Sequence, residues 1–269
     1  MIKRGRYGGC YMILVMEIGN SYITMGGYEQ DSLVFVSDFL SDPKRTRDQY
    51  FIDMKHVLEL YGKNSAEFTG GILCSVVPEL TEPIRQAVFQ LFGFEILVVG
   101  PGVKSGLNIL IDNPAQLGGD LVACAVGALA HYEAPLILCS LGTTTVLGVI
   151  DEKSRFVGAV ISAGVGTTLD SFTKRTALLP HVPFACPAHV IGKNSVASIQ
   201  SGLLYGTAAM IDGLILRIRE ELGMEVQTIA TGKMTKRIIP LCREPIKVHA
   251  YLLLEGLRLI YEKNQPFGV

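Results

Sequence analysis

Two stretches of this chain follow the same order of predicted elements, and that repetition limits the possible folds more than any other feature. Each stretch is predicted to form a strand, a glycine-containing turn, a returning strand and a third strand. The predicted strands are 13–16, 22–25, 33–36, 136–139, 146–150 and 156–160. The turn glycines are Gly19 and Gly142, and their spacing of 123 residues is too long for a solenoid repeat. The sequence therefore predicts a duplicated domain.

Helices and further strands alternate with these stretches. The helices predicted from apolar residues at helical spacing are 47–61, 81–92, 119–131, 195–222 and 253–263. The additional predicted strands are 70–74, 96–99 and 226–230. We expect Thr81 to cap the N-terminus of the second helix, with Pro83 in its first turn. This alternation predicts an α/β fold.

Composition excludes several classes of protein. The 269 residues are 49% hydrophobic and 18% charged, which excludes a disordered chain. A net charge of -1 gives no electrostatic signature of binding to nucleic acid or to an anionic membrane. The longest apolar run, 121–130, is about half of a membrane span, and residues 1–11 lack the apolar segment of a signal peptide. We therefore expect a cytoplasmic protein that binds neither membranes nor nucleic acid.

The cysteines are scattered and form no CxxC pair. Most lie within apolar runs, so we expect buried free thiols in a reducing compartment. The six cysteines are Cys10, Cys74, Cys124, Cys139, Cys186 and Cys242. A metal cluster of His181, Cys186 and His189 is a minor alternative, because the flanking prolines favour a loop.

The two glycine turns give the first indication of function. Tight turns rich in Gly, Asn, Ser and Thr expose backbone amides and hydroxyls that suit phosphate oxygens. Residues 17–21 and 140–144 are such turns, although ordinary β-turns have the same composition. A third turn, at Thr231 and Gly232, follows a predicted strand where the backbone would approach a ligand such as adenosine. Two phosphate turns and a later glycine turn are typical of the superfamily of sugar kinases, Hsp70 and actin.

Asp120 is the candidate residue for acid–base chemistry. It follows two glycines and opens the apolar helix predicted at 119–131. A carboxylate at this point could accept a proton from an attacking hydroxyl. Alternatively, Asp120 only caps the helix, which is common for Asp after Gly. The residues alone leave both interpretations open.

Short strings in order from residue 12 to residue 264 resemble the type III pantothenate kinases. The strings are SDPKRT at 41–46, SVVP at 75–78, GVKSGLN at 102–108, DNP at 112–114, IGKN at 191–194, QSG at 200–202 and LEGLRLIY at 254–261. This resemblance implies the duplicated actin/hexokinase/Hsp70-like (ribonuclease H-like) fold, with two lobes and an ATP cleft between them. We expect residues 1–11 to be a disordered N-terminal extension, 12–117 the first lobe and 118–269 the second lobe.

The resemblance also implies an activity, cofactors and partners. Members of that family transfer the γ-phosphate of ATP to the primary hydroxyl of pantothenate. The product is 4′-phosphopantothenate, and the reaction is the first step of coenzyme A biosynthesis. The family uses Mg²⁺ and a monovalent cation, K⁺ or NH₄⁺. The resemblance further implies a cytoplasmic homodimer with an active site built partly at the dimer interface.

Site residues follow from the matching motifs. The resemblance implies that Asp120 is the proton acceptor and that Ser140 stands at the position that helps to hold the monovalent cation. The implied ATP-binding residues are Glu17, Ile18, Gly19, Asn20, Ser21, Tyr22, Ile23, Thr24 and Thr143. The implied substrate-binding residues are Ile111, Gly118, Gly119, Asp120, Leu121 and Ser195.

Several of these positions depart from the family pattern. The substituted positions are Glu17 and Ser140 in place of Asp, Leu121 in place of Arg, Ile111 in place of Tyr, Ser21 and Ser195 in place of Thr, and Lys233 in place of Gly. Glu17 keeps its charge but moves it outward by one methylene, whereas Ser140 removes a charge from a cation site. Leu121 removes a forked donor that suits the carboxylate of pantothenate.

Three functions are consistent with this pattern. The first is a pantothenate kinase with altered contacts and reduced activity. The second is a catalytically degenerate paralogue with a binding or regulatory role. The third is a kinase for another small hydroxylated acceptor, since the positions expected to face pantothenate have lost polar groups. The retained Asp120 favours the first hypothesis.

Overall fold

The structure, a computed structural model, describes residues 11–175 and 182–265. Within these ranges the chain forms eleven strands and seven α-helices. The strands are β1 (Met12–Ile18), β2 (Tyr22–Glu29), β3 (Ser32–Leu40), β4 (Phe68–Ser75), β5 (Leu97–Val98), β6 (Asn108–Ile109), β7 (Leu136–Leu141), β8 (Thr144–Ile150), β9 (Arg155–Ala163), β10 (Gln227–Thr231) and β11 (Ile246–Val248). The helices are α1 (Arg47–Leu60), α2 (Pro78–Phe92), α3 (Gly119–His131), α4 (Val165–Arg175), α5 (Ser195–Leu222), α6 (Thr235–Ile238) and α7 (Leu252–Lys263).

The first sheet begins with the antiparallel meander that the sequence predicts. β1, β2 and β3 pair antiparallel, and the strand order is β3-β2-β1-β4-β5. β4 pairs with β1 and β5 pairs with β4 in parallel, so each return needs a crossover, which α1 and α2 supply. The buried core combines Leu14 and Met16 of β1 with Met54 of α1 and Ile84 of α2.

The second sheet repeats this topology. Its strand order is β11-β10-β7-β8-β9-β6. Without the edge strand β6, the order β9-β8-β7-β10-β11 corresponds to that of the first sheet, with the same parallel and antiparallel pairs. Its core contains Ile137 of β7, Leu147 of β8, Ile211 of α5 and Ile238 of α6. The predicted duplication is confirmed.

The predicted elements differ from the observed ones mainly at their ends. α3 and α5 begin and end at the predicted residues. The predicted start of α2 is wrong, because Pro78 occupies the first helical position, where a proline loses no helical hydrogen bond. Thr81 lies inside that helix, and its hydroxyl donates to Ser75 Oγ at 2.9 Å. The sequence patterns do not predict β6, β11, α4 or α6.

Contacts within the chain define two compact units, each built from separate segments. Unit 1 comprises Met1–Gly106, Ala115–Val126 and Leu254–Val269, and unit 2 comprises Leu107–Pro114 and Gly127–Leu253. The predicted lobe boundary after residue 117 stays a prediction. The compact units differ from it because short segments on both sides of that position belong to the other unit.

α5 is unusual among the described helices. It is the one described helix that is long and apolar enough to cross a membrane, judged by length and composition alone. This is weak evidence for a membrane span, since core helices meet the same criterion. Its buried residues, among them Leu204, Ile211 and Ile215, belong to the core of unit 2.

α7 packs closely within unit 1. Gly256 lies directly against Ala123 of α3, so that a Cβ at position 256 would collide with the Ala123 carbonyl oxygen. Two residues later, the buried guanidinium of Arg258 bonds Asp31 at 2.8 Å and lies 5.5 Å from the centre of the Tyr28 ring. The close packing of α7 on α3 therefore requires that residue 256 has no side chain, as in glycine.

We predict that Gly256→Ala destabilises the protein. The added methyl forces α7 away from α3, and such overpacking costs about 1–3 kcal/mol or more. Urea unfolding followed by circular dichroism will measure the effect. Gly166→Ala in α4 is the matched control, because its Cβ would meet nothing within 4 Å. Equal unfolding midpoints for the two variants would contradict the prediction.

Candidate functional site

The β1–β2 turn contains the first predicted phosphate-binding stretch. The Gly19 amide donates to the Tyr22 carbonyl at 3.0 Å, and a Cβ at Gly19 would lie 3.1 Å from that same oxygen. Glycine therefore suits this turn, because a side chain at position 19 would press against the Tyr22 carbonyl. Asn20 and Ser21 at its tip are exposed, so their backbone is accessible to a ligand.

The residues that flank this turn divide into buried and accessible positions. Ile18 and Ile23 pair across the hairpin and are fully buried, so their side chains hold the turn rather than contact a ligand. Thr24 is also buried, and its hydroxyl donates to Asp38 Oδ1 at 2.7 Å. Glu17, at the end of β1, is half-buried. Of the predicted ATP-binding residues in unit 1, the accessible ones are Glu17, the turn residues 19–21 and Tyr22, the exposed first residue of β2.

Asp120 lies in the first turn of α3. Burial raises the pKa of its carboxyl, while hydrogen bonds from the backbone amides of Asp120 and Leu121 act in the opposite direction. The carboxyl thus interacts with the helix N-terminus, as a cap would, and also has the elevated pKa of a candidate base. Gly118, two residues earlier, lies close to this carboxyl, since a Cβ at position 118 would collide with Asp120 Oδ1.

Two buried thiols of unit 1 lie close to both Glu17 and Asp120. Cys74 on β4 pairs with Glu17 on β1, and its side chain packs against Gly119, whose Cβ would lie 3.4 Å from Cys74 Cβ. Cys124 follows Asp120 by one turn of α3. Burial, with the charges of Glu17 and Asp120, raises the pKa of both thiols, which stay protonated. Unit 1 therefore brings Glu17 and Asp120 into one neighbourhood.

The second predicted phosphate turn lies in unit 2, between β7 and β8. The Gly142 amide donates to the Thr144 carbonyl at 2.9 Å, which closes the turn. The Thr143 carbonyl accepts from the Gly164 amide at 3.0 Å and from the Thr167 hydroxyl at 2.7 Å. Since α4 begins at the next residue after Gly164, the turn lies against a helix N-terminus, which favours anions.

The predicted turn at Gly232, after β10, lies close to the end of β7. Gly232 has φ +102°, and a Cβ there would collide with the Leu141 carbonyl. The glycine therefore allows the end of β10 to pass directly beside the end of β7. The β7–β8 turn, the start of α4 and the Gly232 turn are together in unit 2, and two of these three were predicted.

The sequence patterns did not predict the contribution of Gly164 and the start of α4 to this part of unit 2. Gly164 permits backbone contact, since a Cβ there would collide with the carbonyl oxygens of Gly142 and Thr143. The signal was the small-residue string AGVGTT at 163–168, which begins three residues after the end of the strand predicted at 156–160. Its length is too short for a periodicity test, which explains why no helix was predicted.

The remaining predicted site residues of unit 2 are separate in sequence. Ser140 is half-buried on β7, where it pairs with Val146 of β8 and Thr231 of β10. Ile111 is half-buried just after β6. Ser195 is the exposed first residue of α5, after the N-cap Asn194.

The alternative metal cluster receives no support from the described residues. His181 lies outside the described ranges, while Cys186 and His189 are exposed. Cysteine burial agrees with the expectation at the three sites Cys74, Cys124 and Cys139, which are free thiols. Cys186 is exposed and Cys242 is half-buried, and Cys10 lies outside the described residues.

Solved structures identify the class of fold. A putative 2-dehydro-3-deoxygalactonokinase from Sinorhizobium meliloti aligns with a TM-score of 0.60 and 11% identity, covering 96% of this chain and 98% of that chain. The activator of 2-hydroxyisocaproyl-CoA dehydratase from Clostridium difficile, with bound ADPNP, aligns with a TM-score of 0.56 and 10% identity, covering 96% and 100%. These likenesses and the duplicated sheets define the actin/hexokinase/Hsp70-like fold.

Sequence comparison identifies the family within this class. The family profile described as type III pantothenate kinase matches residues 13–217. A type III pantothenate kinase from an Exiguobacterium species is 40% identical over 254 residues, covering 94% of this chain and all of that protein. One from Brevibacillus brevis is 36% identical over 257 residues with the same coverage. The chain belongs to the type III pantothenate kinase family.

We predict that Asp120→Asn stabilises the folded protein at pH 8. The folded-state pKa of Asp120 is raised, so its contribution to stability is fully present below the unfolded-state pKa and is lost as the pH rises through the folded-state pKa. Asparagine keeps an acceptor oxygen without the buried charge. Urea unfolding at pH 4 and pH 8 should show a gain that grows with pH. A gain of equal size at both pH values would contradict this cause.

Proposed function

We propose that this protein is a pantothenate kinase that transfers the γ-phosphate of ATP to pantothenate. The product is 4′-phosphopantothenate, in the first step of coenzyme A biosynthesis. Family membership over nearly the whole chain supports the reaction. One observation supports a mechanism: the carboxyl of Asp120, at the start of α3, has a raised pKa. We also propose a cytoplasmic location, as expected for a biosynthetic enzyme of this kind.

Asp120 acts as the general base in this proposal. It accepts the proton of the primary hydroxyl of pantothenate, the hydroxyl oxygen bonds to the γ-phosphorus, and the bond to the ADP oxygen breaks. A raised pKa suits this role, because a base works best when its pKa lies near the operating pH. Gly118 and Gly119 have no side chains, so the backbone before Asp120 can run close to its carboxyl. The remaining proposed pantothenate contacts are the half-buried Ile111, the exposed Ser195 and Leu121, whose side chain is buried in α3.

Backbone amides bind the phosphates of ATP in this proposal. The exposed Asn20 and Ser21 in unit 1 belong to a turn held by the bond from Gly19 to Tyr22. In unit 2, the turn at Thr143 lies against the N-terminus of α4. Both positions direct partial positive charge at an anion, which is how protein backbones usually hold phosphate.

The donor set of unit 1 fits a magnesium ion. Mg²⁺ prefers oxygen ligands and usually combines one or two carboxylates with phosphate oxygens and waters. Glu17 is half-buried at the end of β1 and would supply a carboxylate. When bound, Mg²⁺ neutralises charge on the β- and γ-phosphates.

The side chain at the proposed monovalent-cation position, Ser140, is a weaker cation ligand than a carboxylate. Ser140 offers a neutral hydroxyl, and it pairs with Val146 and Thr231, neither of which carries a charge. The position therefore keeps an oxygen ligand for K⁺ or NH₄⁺ but lacks the electrostatic attraction of a carboxylate. We propose that the reaction depends only weakly on a monovalent cation.

We also propose that the protein is a homodimer formed through α5. A third of the apolar window of this helix is buried within the chain, which leaves much apolar surface for a partner. A groove of about 570 Å³ runs along it, lined by residues that include Phe172, Gly202 and Gly206. A Cβ at either glycine would meet nothing within 4 Å, so a second copy of the helix could approach closely.

The kinase activity is tested by detecting phosphopantothenate with mass spectrometry. We predict product from the purified protein with ATP, Mg²⁺ and K⁺, and a loss of about 10²- to 10⁴-fold in Asp120→Asn. Because Ser140 is uncharged, omitting K⁺ should leave most of the rate. Equal rates in the wild type and Asp120→Asn would contradict the role of Asp120 as base.

Two further experiments distinguish the three candidate functions. If the wild type gives no product, the triple variant Glu17→Asp, Leu121→Arg, Ser140→Asp restores the family residues. Product from that variant alone would support a degenerate paralogue. A screen of small hydroxylated acceptors that finds a better substrate than pantothenate would support the third hypothesis. Product from pantothenate that exceeds every other acceptor supports the present proposal.

The dimer is tested by light scattering coupled to size-exclusion chromatography. We predict a mass of about twice 29.2 kDa for the wild type. Gly206→Glu introduces a charge into the α5 groove and should produce monomers, since an unpaired charge in an apolar interface is costly. Gln90→Glu, on the exposed face of α2, is the control with the same added charge. A monomeric wild type would refute the dimer.

A further inference from the structure

The two thiols of unit 1 occupy a position that the proposed mechanism does not use. Cys74 lies at the end of β4 beside Glu17, and Cys124 lies one helical turn after Asp120. Residues four apart on a helix share one face, so Cys124 is on the same side of α3 as Asp120. We call Cys74 and Cys124 the buried thiol pair. It lies close to both Glu17 and Asp120.

The buried thiol pair excludes water from its surroundings. Each cysteine is 1% exposed. Gly119 brings the α3 backbone directly onto β4 and onto the segment after β5, since its Cβ would lie 3.4 Å from Cys74 Cβ and 3.1 Å from Val99 Cγ1. A Cβ added at Gly119 would thus lie at or inside van der Waals distance of both neighbours, which leaves no room for a water layer between β4 and the start of α3.

The charged and titratable groups at this point come from three elements. They are Glu17 from β1, Cys74 from β4, and Asp120 and Cys124 from α3. Both thiols stay protonated because burial and the two acids raise their pKa values. The pKa of Asp120 is itself raised by burial, against two backbone amides that favour its charged form. Neutral thiols therefore border a carboxyl that is poorly solvated.

A thiol has a particular chemical effect at such a position. It is a weak hydrogen-bond donor and a weak acceptor, and it packs like a small apolar group. A hydroxyl of similar shape would donate a strong bond to the carboxylate and stabilise its charge. Sulfur at positions 74 and 124, close to Asp120, thus offers its carboxylate no strong hydrogen-bond donor.

We propose that the buried thiol pair is a positioning element for Asp120, which keeps water and strong hydrogen-bond donors away from one side of its carboxyl and so preserves it as a proton acceptor. This inference rests on the proposed function, in which Asp120 takes the proton of the substrate hydroxyl. Cys74 and Cys124 touch no substrate in this scheme. Their effect reaches the reaction only through Asp120.

The test replaces each thiol with a hydroxyl and follows the pH dependence of kcat/KM for pantothenate. In Cys124→Ser and Cys74→Ser, the acid limb of the profile should move to lower pH by about half a unit or more, because the hydroxyl stabilises the ionised Asp120. Cys124→Ala adds no donor and leaves a cavity too small for water, so its acid limb should match that of the wild type. Cys139→Ser, a thiol equally buried in β7, is the control.

A second readout keeps the inference separate from the activity. Carbon-13 NMR of labelled aspartate follows the ionisation of the Asp120 carboxyl directly, with Asp120→Asn for assignment. If the wild type lacks phosphotransfer, the proposed function fails, whereas the titration still tests the thiol pair. An Asp120 titration or acid limb that is the same in both serine variants and in the wild type would overturn the inference. If one serine variant does not fold, the other carries the test.

Discussion

The parallel pairing of β1 with β4 is the interaction on which the chemistry of unit 1 depends. Its register sets Glu17 beside Cys74, and Cys74 packs on Gly119 at the start of α3. Asp120, the next residue, therefore lies near Glu17 because backbone hydrogen bonds hold two strands in one alignment. A slip of one residue would turn every side chain of β1 to the opposite face. Sites carried on regular elements in this way are held more rigidly than sites on loops.

Unit 2 has the corresponding parallel strand pair, but with different side chains. The parallel pair β7–β10 sets Ser140 beside Thr231, and Gly232 then passes close to Leu141. Ser140 precedes its turn glycine by two residues, as Glu17 precedes Gly19. The duplicated positions thus carry a charged side chain in one unit and a neutral one in the other. Both turns keep the same strand pairing while the side chains at these positions differ.

Sequence reasoning succeeded where periodicity or a glycine signal was strong. The bounds of α3 and α5, the duplicated strand order and the turns at Gly19 and Gly142 were predicted, since apolar spacing and turn chemistry are local properties. The start of α2 was missed because a proline at the first helical position resembles a loop residue, and α4 because its first turn is made of small residues. The neighbourhood of Cys74 and Asp120 was not foreseen, since it depends on strand register and on contacts distant in sequence.

The packing of α7 has a consequence for the synthesis of the chain. Leu254 lies over Gly26 of β2, Gly256 lies on α3, and Arg258 bonds Asp31 beyond β2, so this helix completes a core begun by the first strands. A ribosome delivers those strands more than 200 residues before it delivers α7. The apolar surface that α7 covers therefore lacks this helix until synthesis is almost complete, when the segments that form unit 2 have already emerged, and apolar surface exposed during folding favours aggregation.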